Sequence, residues 1–180
     1  KSVLDLGCGA GQLTHILRTL DRNILTVTVD ANQDITSSPY IDQNHFTART
    51  DESLDFTDED GKAICFDVIV SLEHFEHVSP KTFDTLMDNI SKHSSSDSML
   101  LFTAAHWEYE EVNRKHIHCN LRCQVCWRDY CLMYSFFPIH SPFKIDRSDV
   151  THEIFAQKFL PTDKCPCGCG YKISGCEEIA

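Results

Sequence analysis

Two short stretches of this 180-residue chain carry residue types suited to chemistry. In Gly7-Cys8-Gly9-Ala10-Gly11 the glycines let backbone N–H groups and a helix start approach a ligand closely. A dinucleotide fingerprint would need glycine at position 12, which is Gln12, so the spacing is Gly-x-Gly-x-Gly instead. In Glu73-His74-Phe75-Glu76-His77, one helical turn would bring Glu73, Glu76 and His77 to one side. Two carboxylates and an imidazole form a donor set suited to Mg²⁺, Mn²⁺ or Zn²⁺. His116-Ile117-His118-Cys119-Asn120 supplies further groups, with His118 suited to act as a base or fourth ligand. His106 and His116 read as solvated loop histidines.

The ten cysteines are uneven. Cys8 and Cys65 stand alone beside apolar segments and read as small core residues. Cys119, Cys123, Cys126 and Cys131 form one cluster, and Cys165, Cys167, Cys169 and Cys176 a second one resembling a soft-metal loop. With no secretory signal in view, thiols or a structural zinc site are expected before a disulfide framework.

Alternating strands and helices must position these groups. Ser2–Leu6 reads as a short buried strand that stops at the glycine loop, and Leu13, Ile16, Leu17 and Leu20 then mark one helix face. Ile24–Val29 reads as a second strand ending at Asp30. Asp34–Glu59 is polar, with one short helix expected near Asn44–Arg49, and its Asp51–Asp60 charge run reads as a solvated loop. Phe66–Leu72 is continuously apolar, as a strand buried on both faces requires. Pro80 opens a helix carrying Phe83, Leu86, Met87 and Ile90. A Ser-rich turn over Lys92–Ser98 leads to a strand at Met99–Ala105, and helices are expected over Cys126–Phe137 and Val150–Phe159. Strand–helix alternation predicts an α/β, doubly wound, mostly parallel sheet. Residues 1–160 would form one domain and 161–180 a Cys-rich tail, with the chain trimmed at its N-terminus.

Composition removes several classes. Sixteen Lys+Arg against 27 Asp+Glu give a net charge of −11, against a general nucleic-acid footprint. Apolar residues make up 42% of the chain, a globular proportion. No apolar run reaches the roughly 20 residues of a membrane span. The cytoplasm is the favoured compartment, and oligomeric state is left open.

Val3-Leu4-Asp5-Leu6-Gly7-Cys8-Gly9-Ala10-Gly11 resembles the first motif of class I S-adenosylmethionine-dependent methyltransferases, and the similarity extends over Ser2–Ala105. It implies a Rossmann-like fold and S-adenosyl-L-methionine as cofactor. Gly7, Cys8, Gly9 and Gly11 would admit its methionine part, Asp5 would hold the loop or reach the amine through water, and Asp30 would bind the ribose hydroxyls. Asp51 would stand near the adenine, with Asp55 as rival. Phe66–Leu72 matches the strand bordering the transfer site, placing Ser71 and Leu72 with the cofactor. His77, His118 and Glu76 are the expected catalytic residues.

Glu-x-x-Glu-His also resembles the metal-binding stretch of small-RNA 3′-terminal 2′-O-methyltransferases and of ubiquinone-biosynthesis O-methyltransferases. The expected activity is methyl transfer to an O or N acceptor on a small molecule. A metal-dependent RNA 3′-terminal 2′-O-methyltransferase is one alternative, and a non-catalytic cofactor-binding module is another.

Overall fold

A computed structural model describes residues 1–105, 118–139 and 151–159. Seven strands form one sheet in the order β3-β2-β1-β4-β5-β7-β6. They are β1 (Ser2–Leu6), β2 (Leu25–Asp30), β3 (His45–Thr47), β4 (Phe66–Leu72), β5 (Ser94–Ala105), β6 (Phe136–Pro138) and β7 (Thr151–Lys158). The helices are α1 (Gln12–Leu20), α2 (Phe83–Lys92) and α3 (Gln124–Met133). The first five strands pair in parallel, and β7 runs antiparallel to both β5 and β6. Chain order reverses between β1 and β4, the switch point at which open α/β sheets bind ligands.

The doubly wound, mostly parallel expectation holds, with several elements corrected. The segment near Asn44–Arg49 is the edge strand β3, paired with Thr28–Asp30 of β2. Val150–Phe159 contributes β7 rather than a helix, because alternate residues Ile154, Ala156 and Lys158 are buried, a period of two. The Ser-rich turn is the bulged start of β5: the step from Phe66 to Val68 in β4 faces the longer step from Ser94 to Met99. Ser98 closes this bulge by donating to the Phe66 carbonyl at 2.6 Å. Pro80 precedes α2 by three residues, whereas its apolar set, Phe83, Leu86, Met87 and Ile90, is fully buried as expected. On α1 the expected face is only half used, since Ile16 is 54% and Leu20 77% exposed.

An aromatic cluster joins the sheet to α2 and α3. Phe75 stacks on Phe102 at 4.3 Å, and Trp127 packs against Phe75, Phe83 and Phe102. Cys131 belongs to this core and Cys8 is half-buried, but Cys65 is exposed, a correction to its reading as a core residue.

Asn89 on α2 ties the loop after β3 to this core. Its Oδ1 accepts from Leu54 N–H at 3.0 Å, and its Nδ2 donates to the carbonyls of Thr50 and Glu52. Asn89→Ala leaves these buried groups without partners and is expected to cost about 1–3 kcal/mol, read as a lower denaturant midpoint with an unchanged slope.

Candidate functional site

The carboxyl end of β1 turns sharply into α1. Gly7 (φ 72), Gly9 (φ 52) and Gly11 (φ 78) all lie in the left-handed region, which glycine adopts without strain. Gly7 and Cys8 spend their N–H groups on the Val29 carbonyl at the end of β2. Gly9 N–H donates to Asp30 Oδ2 at 2.9 Å, and Asn32 N–H donates to Asp30 Oδ1 at 2.9 Å. Asp30 therefore clamps the loop while each of its oxygens keeps a second lone pair for a ligand.

Glycine is required at positions 7 and 9 for different reasons. A Cβ at Gly7 would lie 2.4 Å from the His74 ring, whereas one at Gly9 would meet nothing within 4 Å. Gly7 is thus packed from behind, and Gly9 faces open space. His74 was given no role from sequence, although its place three residues after Ser71 at a strand end was a signal for one. Ser71 donates to the Leu6 carbonyl at 2.8 Å, so its oxygen accepts from His74 Nδ1–H at 3.0 Å. His74 Nε2 then accepts the Thr50 hydroxyl at 3.1 Å, which sets the tautomer. Burial lowers the His74 pKa to about 4, so a neutral ring braces the loop.

These elements enclose a cleft of about 210 Å³ lined by Gly7, Asp30, Ala31, Arg49, Thr50, Asp51, His74, His77 and Val78. Asp51 accepts from Arg49 at 2.8 Å and from Thr82 at 2.6 Å. Burial opposes its charge, but the hydrogen bonds from Thr82 and Arg49 outweigh that and hold the carboxyl below its ordinary range. Its rival Asp55 points elsewhere, into a surface ion pair with Lys92 at 3.0 Å. Ser71 is buried beneath the loop and Leu72 is 38% exposed; neither lines the cleft.

Asp5 is buried below the glycine loop, and burial together with the nearby Asp30 charge raises its pKa to about 7. A carboxyl whose folded pKa lies above its unfolded value binds protons preferentially in the folded state, so it lowers stability as pH rises from about 4 to about 7. Asp5→Asn is expected to be more stable than wild type at pH 8, by at most about 4 kcal/mol, and the gap should close near pH 4. Thermal unfolding of both proteins across that range checks the sign.

Beside the cleft, Glu76, His77 and His118 bring one ligand atom each within 4.8 Å of one another. Of the expected trio of Glu73, Glu76 and His77, the structure groups the last two with His118, the expected fourth ligand, and leaves Glu73 outside the group. The helical-turn argument fails because Glu73 has φ 51, and only a 3₁₀ turn, Phe75–His77, follows it. His118 is delivered by its own stretch, whose Cys119 and Asn120 N–H groups donate to the Glu76 carbonyl at 2.8 and 3.0 Å. Glu76 is 1% exposed, Oε1 accepts from Ala105 N–H at 3.2 Å, and Oε2 is buried without a hydrogen-bond partner. Burial raises its pKa, so Glu76 holds a proton more readily than an ordinary carboxyl. Among the described residues this is the one group of three or more donors able to hold a metal ion. His106, His116, Cys165, Cys167, Cys169 and Cys176 lie outside the described residues.

Comparison with known proteins bears on the family and the fold. A family model described as mycolic acid cyclopropane synthetase matches residues 1–162. Cyclopropane-fatty-acyl-phospholipid synthase of Escherichia coli strain K12 is 31% identical over 100 residues, 55% of this chain and 25% of that protein. The chain thus spans about a quarter of the length of the curated relatives it matches. Among solved structures, an S-adenosylmethionine-dependent methyltransferase from Clostridium acetobutylicum superposes with TM-score 0.66 at 12% identity, covering 88% of this chain and 84% of that one. The 1,6-didemethyltoxoflavin-N1-methyltransferase of Burkholderia thailandensis, with S-adenosylhomocysteine bound, gives 0.64 at 16% identity, covering 88% and 71%. Magnesium protoporphyrin IX methyltransferase of Synechocystis, with S-adenosylmethionine bound, gives 0.59 at 14%, covering 87% and 69%. At these identities the structures establish the shared fold.

Proposed function

The chain belongs to the mycolic acid cyclopropane synthetase family of S-adenosylmethionine-dependent methyltransferases, and from that premise we propose that it methylates an oxygen or nitrogen of a small molecule. The observation that carries this reading is the juxtaposition of the glycine-lined cleft with the Glu76, His77 and His118 group. When bound, the sulfonium of S-adenosylmethionine supplies an already activated methyl group. The chain's residues then have two tasks, alignment and removal of the acceptor's proton. Gly9 leaves room for the cofactor and Asp30 offers its free lone pairs to vicinal hydroxyls, while Arg49 and Thr82 hold Asp51 at the far wall. An imidazole of His77 or His118 takes the proton, and the Glu76 carbonyl, which accepts from Cys119 and Asn120 N–H, holds the His118 stretch in place.

A divalent cation fits the same group, because the partnerless Glu76 Oε2 lies beside two imidazoles and a bound cation would hold the carboxyl ionised. Glu76, His77 and His118 would hold it, and the metal would acidify a coordinated hydroxyl. That donor set supports a second reading, metal-dependent methylation of a ribose hydroxyl at an RNA 3′ end. Family relatives named for fatty-acyl phospholipids add an unsaturated acyl chain as a third acceptor to test.

Methyl-tritiated S-adenosylmethionine, offered with phenol and amine mixtures, RNA oligonucleotides and unsaturated phospholipid vesicles, each with chelator or Mn²⁺, separates the three. Label on a small-molecule heteroatom is the expected result. Label on RNA only with Mn²⁺ supports the second reading, and label in acyl chains overturns both. Glu76→Gln is expected to slow the productive reaction by about 10²-fold or more.

A further inference from the structure

We propose that Cys123 and Cys126 are a reversible dithiol–disulfide couple at the first turn of α3, exchanging electrons with a small-molecule thiol–disulfide pair such as glutathione. Methyl transfer makes no use of these residues, and the inference stands independently of that reading. Cys123 is the N-cap of α3, and its Sγ accepts the Cys126 N–H at 3.4 Å. The two sulfurs lie 3.0 Å apart, and both residues are exposed. The other described cysteines each lack one of these conditions. Cys131 is buried, Cys8 is half-buried, and Cys65 and Cys119 are exposed without a neighbouring sulfur among the described residues. A metal site is a poorer account of the pair, because no third donor joins it among the described residues.

The two thiols are also unlike. The hydrogen bonds from the Cys126 side chain and N–H lower the Cys123 pKa, and the same contact raises that of Cys126. A helix N-terminus adds to the stabilisation of a thiolate at Cys123. Cys123 is therefore the attacking sulfur and Cys126 the resolving one. The Cys123 thiolate attacks glutathione disulfide, forming a mixed disulfide and releasing one glutathione thiolate. Cys126, on losing its proton, attacks Cys123 Sγ and displaces the second glutathione. The chain loses two electrons and two protons, and one glutathione disulfide becomes two glutathiones.

The sequence offers a clean test. Trypsin cleavage after Arg122 and Arg128 releases the Cys123–Arg128 hexapeptide, which holds these two cysteines and no other. The full chain is equilibrated across a series of reduced-to-oxidised glutathione ratios, acid-quenched, alkylated and digested. The expected result is a hexapeptide lighter by two hydrogens and without alkyl groups, formed at ratios where Cys65 still alkylates. Its equilibrium constant for oxidation should exceed that of the chain in denaturant by at least about 10-fold, because the fold holds the sulfurs together. In Cys126→Ser the first step should be trapped as a glutathione adduct at Cys123. A hexapeptide doubly alkylated at every ratio, or a constant equal to that of the denatured chain, would overturn the proposal.

Discussion

Asp30→Ala is expected to weaken S-adenosylhomocysteine binding by at least about 100-fold, measured by calorimetric titration, while the chain stays folded. Each hydrogen bond between a ribose hydroxyl and a carboxylate contributes about 1.5–3 kcal/mol, and Asp30 is placed to make two. The substitution also releases the Gly9 and Asn32 N–H groups, so part of the loss comes through the loop. Asp30→Asn separates the contributions: it keeps one acceptor oxygen and drops the charge, and an intermediate loss of roughly 10-fold is expected. Thermal unfolding of both variants confirms that a folded protein was titrated. An Asp30→Ala protein that binds as tightly as wild type would remove Asp30 from the cofactor site.

Gly7→Ala and Gly9→Ala are expected to fail in opposite ways, although they lie two residues apart in one loop. At Gly7 the added Cβ meets the His74 ring at 2.4 Å, and the φ of 72 is costly for any residue with a side chain. His74 is not free to retreat, because Ser71 and Thr50 hold its two nitrogens. Overpacking at about 1–3 kcal/mol and left-handed strain at about 1–2 kcal/mol sum to roughly 2–5 kcal/mol. For a chain of this size that lowers the Tm by roughly 4–20 °C. At Gly9 only the strain applies, since nothing stands near the new Cβ. Gly9→Ala should therefore unfold within a few degrees of wild type yet bind S-adenosylhomocysteine at least about 10-fold more weakly, its methyl occupying space the ligand needs. Scanning calorimetry paired with titration distinguishes the two patterns. A Gly9→Ala protein that binds S-adenosylhomocysteine as tightly as wild type would show that the open space over Gly9 is not a ligand site.

How far the sequence could be read depended on whether a signal was local. β1, α1, β2 and β4 were legible because apolar runs end in a glycine loop or an acidic residue within a few positions. The glycine loop and Asp30 are named together through the methyltransferase resemblance, and the pairing of β1 with β2, Leu6 opposite Val29, brings them side by side. β3 was missed because three residues carry no periodicity, and only the edge of β2 makes them a strand. β7 was misread because Thr, His, Glu, Gln and Lys alternate with its few apolar residues, and its pairing with β5 joins positions about 50 apart. His118 was assigned from its place after the last clear strand, but its replacement of Glu73 depends on left-handed backbone at a non-glycine residue, which composition does not announce. The choice of Asp51 over Asp55 likewise rests on Thr82 and on Asn89, a tertiary anchor 35 residues beyond Leu54.

Whether Gly7–Gly11 and Asp30 form an S-adenosylmethionine site is read by titrating the wild-type chain with S-adenosylhomocysteine. Saturable one-to-one binding at micromolar concentration is expected. A folded chain that takes up no ligand at millimolar concentration would contradict it.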